Sequence, residues 1–429
     1  MAITARSRWI WRTTFALIFL LSSAVVPTQA QTFKVLHTFH SGKGPQLPSG
    51  HLLLDAEGNL YGIAQGGKGM CWANNPCGTV FKMSGSGKLV WVYSFKDNAY
   101  GFDPIAGLLR DEAGNFYGVT QDGGKQTQAC GGTQNPGCGL VYKLDPTGNK
   151  EIVLHRFAGG SDGQTPQALL IKDSAGSLYG TTLWGGSQEN DGVVFKVDQA
   201  GRYKVLYTFQ GGVTGGTDRP GVIWGSPGYL YGVAGYGALD DGVLFEVGAA
   251  TDEETVLYTF DGAPAGFGSI LVKDAAGNIY GTTEQGGNSG CTYGAGCGVV
   301  GELTPHSDGS WTASTLYIFC SLDHCADGAY PELGPLVRDA AGNLYGTTYF
   351  GGAAQCDGFN EGCGVVFKLD PSGKETILHT FTGGADGAYP WAGLTMDASG
   401  NLYGTAQNGG DLNCQPKYHG CGVVFKITP

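Results

Sequence analysis

Asp339-Ala340-Ala341-Gly342-Asn343-Leu344-Tyr345-Gly346-Thr347-Thr348 is a tight turn running into a short strand, and the chain carries it in seven versions. The central tripeptide recurs as Leu60-Tyr61-Gly62, Phe116-Tyr117-Gly118, Leu178-Tyr179-Gly180, Leu230-Tyr231-Gly232, Ile279-Tyr280-Gly281 and Leu402-Tyr403-Gly404. Its tyrosines stand 49 to 65 residues apart, 57 on average, and seven such units fill the 399 residues from 31 to 429. A repeat of this length is one small sheet.

Outward from the tripeptide, the sixth unit shows four strand-like runs: Leu336–Arg338, Leu344–Thr348, Val365–Leu369 and Thr376–Phe381. Asp339-Ala340-Ala341-Gly342-Asn343 joins the first two and Asp370-Pro371-Ser372-Gly373 the last two. Both are hairpin turns by their chemistry: Asp accepts from turn N–H groups, Pro presets φ, and Gly takes the left-handed position. The connections from second to third strand, and from fourth strand to the next unit, are longer and irregular.

The two ends are out of phase. Phe33–Phe39 reads as a fourth strand with no unit before it, and Val423–Ile427 as a third strand with no fourth after it. A linear solenoid would need polar caps instead. A ring gains from lending a strand across its ends, because that removes an open edge. The expected fold is all-β: a seven-bladed β-propeller with four antiparallel strands per blade, closed by the N-terminal strand completing the last blade.

The units that run from Asp339 to Thr348, through Gly351-Gly352, to Gly364-Val365-Val366-Phe367-Lys368-Leu369-Asp370-Pro371-Ser372-Gly373 resemble the GloVer tandem-repeat family of bacterial secreted and surface proteins. The resemblance covers residues 32 to 429 and implies an exported propeller-like protein, often anchored at its C-terminus. It implies no catalytic residues. Lys426-Ile427-Thr428-Pro429 reads as no anchor, and unit four replaces the Asp turn with Gly225-Ser226-Pro227-Gly228. Unit five carries Gly301 where other units have Phe or Tyr.

Composition agrees. Glycine supplies 76 of 429 residues, well above the ordinary ~7 %, while charged residues are only 14 %. Arg6, Arg8 and Arg12 precede the apolar run Phe15–Val26 and the small-residue site Thr28-Gln29-Ala30, the pattern of a secretory signal over residues 1–30. Secretion, to the extracellular space or periplasm, is expected, with no membrane span after cleavage. The net charge of −12, without any basic run beyond the leader, argues against nucleic acid. A monomer is expected.

Twelve cysteines fall into six local pairs: Cys71/Cys77, Cys130/Cys138, Cys291/Cys297, Cys320/Cys325, Cys356/Cys363 and Cys414/Cys421. In an exported chain these read as disulfides stapling long loops. The spacing lacks Cys-x2-Cys, so zinc is the weaker reading and no metal ligand set is assigned.

The repeat absorbs most residues that resemble catalytic ones. Asp55, Asp111, Asp173, Asp274, Asp339 and Asp397 share one turn position. His37, His155 and His379 share a fourth-strand position with Tyr93, Tyr207, Tyr258 and Tyr317, which reads as aromatic packing. What the repeat leaves unexplained is the face bearing the long connections. It carries Trp72, Tyr293 and Tyr418 on stapled loops and Trp184 on a short one. It also carries the acidic sets Asp162-Gly163, Asp327-Gly328 and Asp386-Gly387, each followed by a proline, with Asp103-Pro104 and Asp218-Arg219-Pro220 as variants. Tyr330 and Tyr389 accompany two of these sets. The bland reading is turns. The sharper one is a carboxylate ring holding Ca²⁺ or a hydroxyl-rich ligand, with aromatic faces for sugars to stack on. The expected function is a binding or scaffold module for a glycan or another cell-surface macromolecule, with no resident cofactor. The alternative is a polysaccharide hydrolase or lyase using acidic residues at the channel mouth.

Overall fold

The computed structural model describes residues 31–429 apart from 43, 69, 72–75, 97, 131–136, 189, 212–220, 236–241, 252, 261–270, 289–290, 292–295, 332–333, 353–355, 357–361 and 415–418. The expected signal peptide lies outside the described residues. No helix among the described residues is long and apolar enough to cross a membrane.

Seven antiparallel sheets follow one another along the chain and form the expected seven-bladed β-propeller. Blade 6 is typical: Val337–Arg338, Leu344–Thr348, Val365–Leu369 and Glu375–Thr380 pair in that order. Blade 7 takes its first three strands from Leu394–Met396, Leu402–Ala406 and Val423–Thr428, and its fourth from Thr32–Thr38. The borrowed strand runs antiparallel, with Thr32 opposite Thr428 and Thr38 opposite Val423. First strands are mostly two or three residues long, and blade 3 splits its own into Gln164–Pro166 and Ile171–Lys172. The third–fourth pair of every blade carries a register shift, which adds local twist.

The tripeptide is explained residue by residue. Its apolar first member is buried in every blade. Its glycine lies under the aromatic ring of the third strand: a Cβ on Gly346 would sit 2.6 Å from Phe367 Cζ, and one on Gly404 2.5 Å from Phe425 Cζ. Its tyrosine hydroxyl donates to the turn aspartate, Tyr345 to Asp339 at 3.0 Å and Tyr61 to Asp55 at 2.8 Å. The same bond recurs for Tyr117, Tyr179, Tyr280 and Tyr403. Blade 4 has Gly225 at the turn position and so no carboxylate to receive it.

Blades are joined by one aromatic contact repeated around the ring. The phenylalanine closing each fourth strand meets the third-strand ring of the next blade edge-on, with centroids 5.1 to 5.4 Å apart: Phe95 on Tyr142, Phe157 on Phe195, Phe209 on Phe245, Phe319 on Phe367 and Phe381 on Phe425. Phe39 on Phe81 continues the series across the chain ends. Gly301 gives blade 5 no ring at the receiving position. Each such edge-to-face pair adds ~0.5–1.5 kcal/mol beyond area burial.

Candidate functional site

All six cysteine pairs are disulfides and no described cysteine is free. Five of them do more than staple a loop. The carbonyl of the second cysteine accepts the N–H of a residue entering the next blade: Cys77 from Asp103, Cys138 from Thr165, Cys297 from Tyr330, Cys363 from Tyr389 and Cys421 from Leu47, at 2.8 to 3.2 Å. Every donating residue precedes a proline and has a left-handed φ between 54° and 58°. That conformation is unfavourable for any side chain and more so before proline. The glycine following each of these cysteines also has positive φ, and the next blade's proline lies where its Cβ would be, as with Gly364 and Pro390. The backbone therefore repeats at these five blade entries, while the side chain changes: Leu47, Asp103, Thr165, Tyr330 and Tyr389, the two tyrosines being buried.

These residues pair with the ends of the second strands. Gln65, Tyr349 and Gln407 donate their N–H groups to the carbonyls of Leu47, Tyr330 and Tyr389 at 2.9 to 3.1 Å. Leu47, Gln65, Asp103, Tyr349 and Gln407 line one cavity of about 1060 Å³ on the long-connection face, together with Gln46, Asp122, Asn408 and Asn413. Amides dominate its polar side. Burial pushes the Asp103 carboxyl up to about 6. Asp122 rises to about 7, by burial first and then by the charge of Asp103. An aromatic group continues the wall across blades 6 and 7: Tyr349 stacks on Tyr389 at 4.9 Å, and Trp391 meets Tyr349 edge-on at 5.4 Å.

The sequence-derived site residues separate into three groups. Trp72, Asp218, Tyr293 and Tyr418 lie outside the described residues. Tyr330 and Tyr389 stand before proline and are buried in hydrophobic clusters between blades, and Trp184 ends a second strand on the same face, 45 % exposed. Asp162, Asp327 and Asp386 form no open ring of carboxylates, because each is taken up by its own loop. Asp327 is fully buried and accepts from Ser321 N, Ser321 Oγ and Tyr317 Oη at 2.8 to 2.9 Å. Asp386 accepts from Thr382 N and Oγ1 and faces His379 Nε2 at 3.1 Å. Asp162 accepts from Ala158 N at 2.7 Å and faces His155 Nε2 at 3.2 Å. The mouth residues that sequence reasoning missed are Gln65, Asp122, Tyr349 and Gln407. The signal for them was present, four or five residues after each repeat tyrosine, where the units stop agreeing.

Among solved structures, the chain is similar to an oligogalacturonate lyase from Vibrio parahaemolyticus, at 10 % identity and a TM-score of 0.52, over 92 % of this chain and 96 % of that one. It is also similar to an ulvan lyase, at 13 % identity and 0.48 over 80 % and 85 %, and to a luciferin-regenerating enzyme, at 13 % and 0.41 over 90 % and 92 %. At such identities the likeness is one of fold. No curated protein matches the sequence. The Gloeobacter/Verrucomicrobia repeat matches residues 127–295 and 269–429, most of the chain, and the protein belongs to that repeat family.

Proposed function

We propose that this is an exported propeller that binds a glycan, or a similarly hydroxyl-rich surface macromolecule, in the cavity on its long-connection face. One observation carries the reading: blades 1, 2, 6 and 7 share a cavity of about 1060 Å³ lined by the amides of Gln46, Gln65, Gln407, Asn408 and Asn413, the carboxyls of Asp103 and Asp122, and the Tyr349 ring. Amides and carboxyls exchange hydrogen bonds with hydroxyls, and the Tyr349 ring in the cavity wall, backed by the buried Tyr389, offers an apolar surface for a sugar. The six disulfides suit an oxidising compartment.

A second reading rests on Asp103 and Asp122. The two carboxyls are raised to about 6 and about 7 in one cavity, so between those values the lower is mostly ionised while the higher still mostly carries its proton. That division is what a hydrolase or lyase needs for general acid and base. The polysaccharide lyases above share the fold and carry no residue correspondence.

The test is co-sedimentation of the purified protein with a panel of insoluble polysaccharides, with and without Ca²⁺, reading both the bound protein and the soluble oligosaccharide released. Retention that Tyr349→Ala weakens supports the binding reading, and Ca²⁺ dependence assigns the ion a role. Released product abolished by Asp122→Asn makes the protein an enzyme. No retention and no release on any polymer overturns the glycan reading.

A further inference from the structure

Cys320–Cys325 differs from the other disulfides in its place and in its neighbour. It lies in the connection from blade 5 to blade 6, and it stands against Cys291–Cys297 of the second-to-third connection in blade 5. The four Sγ atoms all lie within 4.8 Å of one another. Among the described residues no other group of His, Cys, Asp and Glu ligand atoms comes together in this way. The two bridges close different loops, residues 291–297 and 320–325, yet bring their sulfurs together, and that placement calls for its own account.

The backbone here is held independently of the sulfurs. The Cys320 N–H donates to the Gly328 carbonyl at 3.0 Å, and Asn288 Nδ2 donates to the Cys320 carbonyl at 2.7 Å. The Cys325 carbonyl accepts from Gly328 and Gly352 at 2.8 and 2.9 Å, and the Cys297 carbonyl accepts from Tyr330 at 2.8 Å. Opening the disulfides leaves these bonds in place. Access is also graded. Cys291, Cys320 and Cys325 are half-buried, whereas both members of Cys130–Cys138, Cys356–Cys363 and Cys414–Cys421 are buried. A dissolved thiol reaches Cys320–Cys325 more readily than those three.

We infer that Cys291, Cys297, Cys320 and Cys325 form a redox-gated Zn²⁺ site, closed as two disulfides when oxidised and able to hold the ion tetrahedrally when reduced. A dithiol reductant, small or protein-borne, opens Cys320–Cys325 by thiolate attack through a mixed disulfide, and its second thiol releases the protein thiol. The reductant leaves as a cyclic disulfide, carrying away the two-electron equivalent. A thiolate freed at Cys320 or Cys325 stands within 4.8 Å of the Cys291–Cys297 sulfurs and attacks that bridge, and a second dithiol completes its reduction. The balance is two disulfides and two dithiols giving four protein thiols and two oxidised reductants. Zn²⁺ then binds as four thiols lose four protons, at the Zn–S length of ~2.3 Å typical of tetrathiolate sites. Two molecules of the cyclic disulfide run the exchange backwards: the four thiolates pair as two protein disulfides, two dithiols form with the uptake of four protons, and the ion is expelled.

The experiment uses the full chain under argon. Stepwise dithiothreitol treatment is followed by alkylation mapping, and the gel-filtered, partly reduced protein is titrated with Co²⁺ and then Zn²⁺. The expected result is that these four cysteines are labelled before Cys130, Cys138, Cys356, Cys363, Cys414 and Cys421. One Co²⁺ per chain then gives thiolate charge-transfer and intense tetrahedral d–d bands, which Zn²⁺ bleaches. The paired substitution Cys320→Ser with Cys325→Ser removes the bands, and Cys71→Ser with Cys77→Ser leaves them. Bands that survive the first pair, the absence of bands in reduced wild type, earlier opening of the buried bridges, or loss of the β-sheet circular dichroism on reduction each overturn the site.

Discussion

The Phe33 ring lies flat on the His379 imidazole, centroids 3.6 Å apart and planes 7° from parallel. His155 and Tyr203 repeat the arrangement at 3.7 Å and 4°. At other seams, where the incoming strand offers glutamate, the preceding blade offers tyrosine: Tyr93 donates to Glu151, and Tyr317 to Glu375 at 2.9 Å. At these four seams the choice of His or Tyr on the fourth strand therefore follows the residue the next blade presents, while His37 faces the Gly87 carbonyl instead.

That rule can be tested by transplanting a seam. Phe33→Glu and His379→Tyr should each destabilise the protein singly. The double variant should recover part of the loss, because it recreates the Tyr317–Glu375 pair. The expected coupling in a urea-denaturation double-mutant cycle is about 0.5–1.5 kcal/mol. Additive losses would remove the rule.

The cavity carboxyls set a pH dependence. Asp103 is raised from 3.8 to about 6, so its folded state binds more protons than the unfolded chain between those values, and stability from this group rises as pH falls through 6. Asp103→Asn should therefore stabilise the protein at pH 8 by roughly 1–3 kcal/mol and leave it nearly unchanged at pH 4. Urea midpoints at the two pH values measure this.

His51 works in the opposite direction. It is half-buried, its Nε2 lies 3.0 Å from Thr395 Oγ1 across the blade 7–blade 1 seam, and desolvation lowers it from 6.5 to about 4. The unfolded chain takes up the proton first, so stability falls as pH drops from 6.5 to 4, by up to about 3 kcal/mol. Its imidazole NMR signals should not titrate above pH 5. A midpoint near 6.5 would place it in solvent.

Glycines of equal φ should differ in cost. Gly400 and Gly364 have φ of 82° and 89°, but a Cβ on Gly400 meets nothing within 4 Å, while one on Gly364 meets the Thr348 carbonyl and Pro390. Gly400→Ala should cost ~1 kcal/mol, and Gly364→Ala several times more, by chemical denaturation.

Asp327 and Tyr349 should separate stability from binding. Asp327→Asn leaves the buried donors of Ser321 and Tyr317 facing an amide, and should lower stability by ~2–4 kcal/mol. Tyr349→Ala should weaken polysaccharide retention several-fold with a smaller stability cost. Calorimetry beside co-sedimentation distinguishes the two.

Blade number, strand order, ring closure and all six disulfides were legible because each is written locally: a hairpin turn, a cysteine pair fewer than ten residues apart, a strand out of phase. The carboxylates were half legible. Asp327 and Asp386 follow the turn chemistry of Asp-Gly, and the structure bonds both within their own loops. Asp122 and Gln407 stand where the repeat units stop agreeing, but that they share a cavity was not legible, because it gathers residues about 300 positions apart. The His–Tyr alternation was visible, but its meaning lay on the neighbouring blade.

The borrowed strand also has a consequence for the order of assembly. Thr32–Thr38 leaves the ribosome first, yet its partner Val423–Thr428 leaves last. In the interval the chain makes six further copies of its partner strand, beginning with Thr79–Met83, whose Thr79-Val80-Phe81-Lys82-Met83 differs little from Val423-Val424-Phe425-Lys426-Ile427. Premature docking on any of them would leave the ring one strand short. The fold is thereby exposed to a kinetic trap of its own symmetry, and the Phe33–His379 seam is one of the few features by which the right partner differs from its decoys.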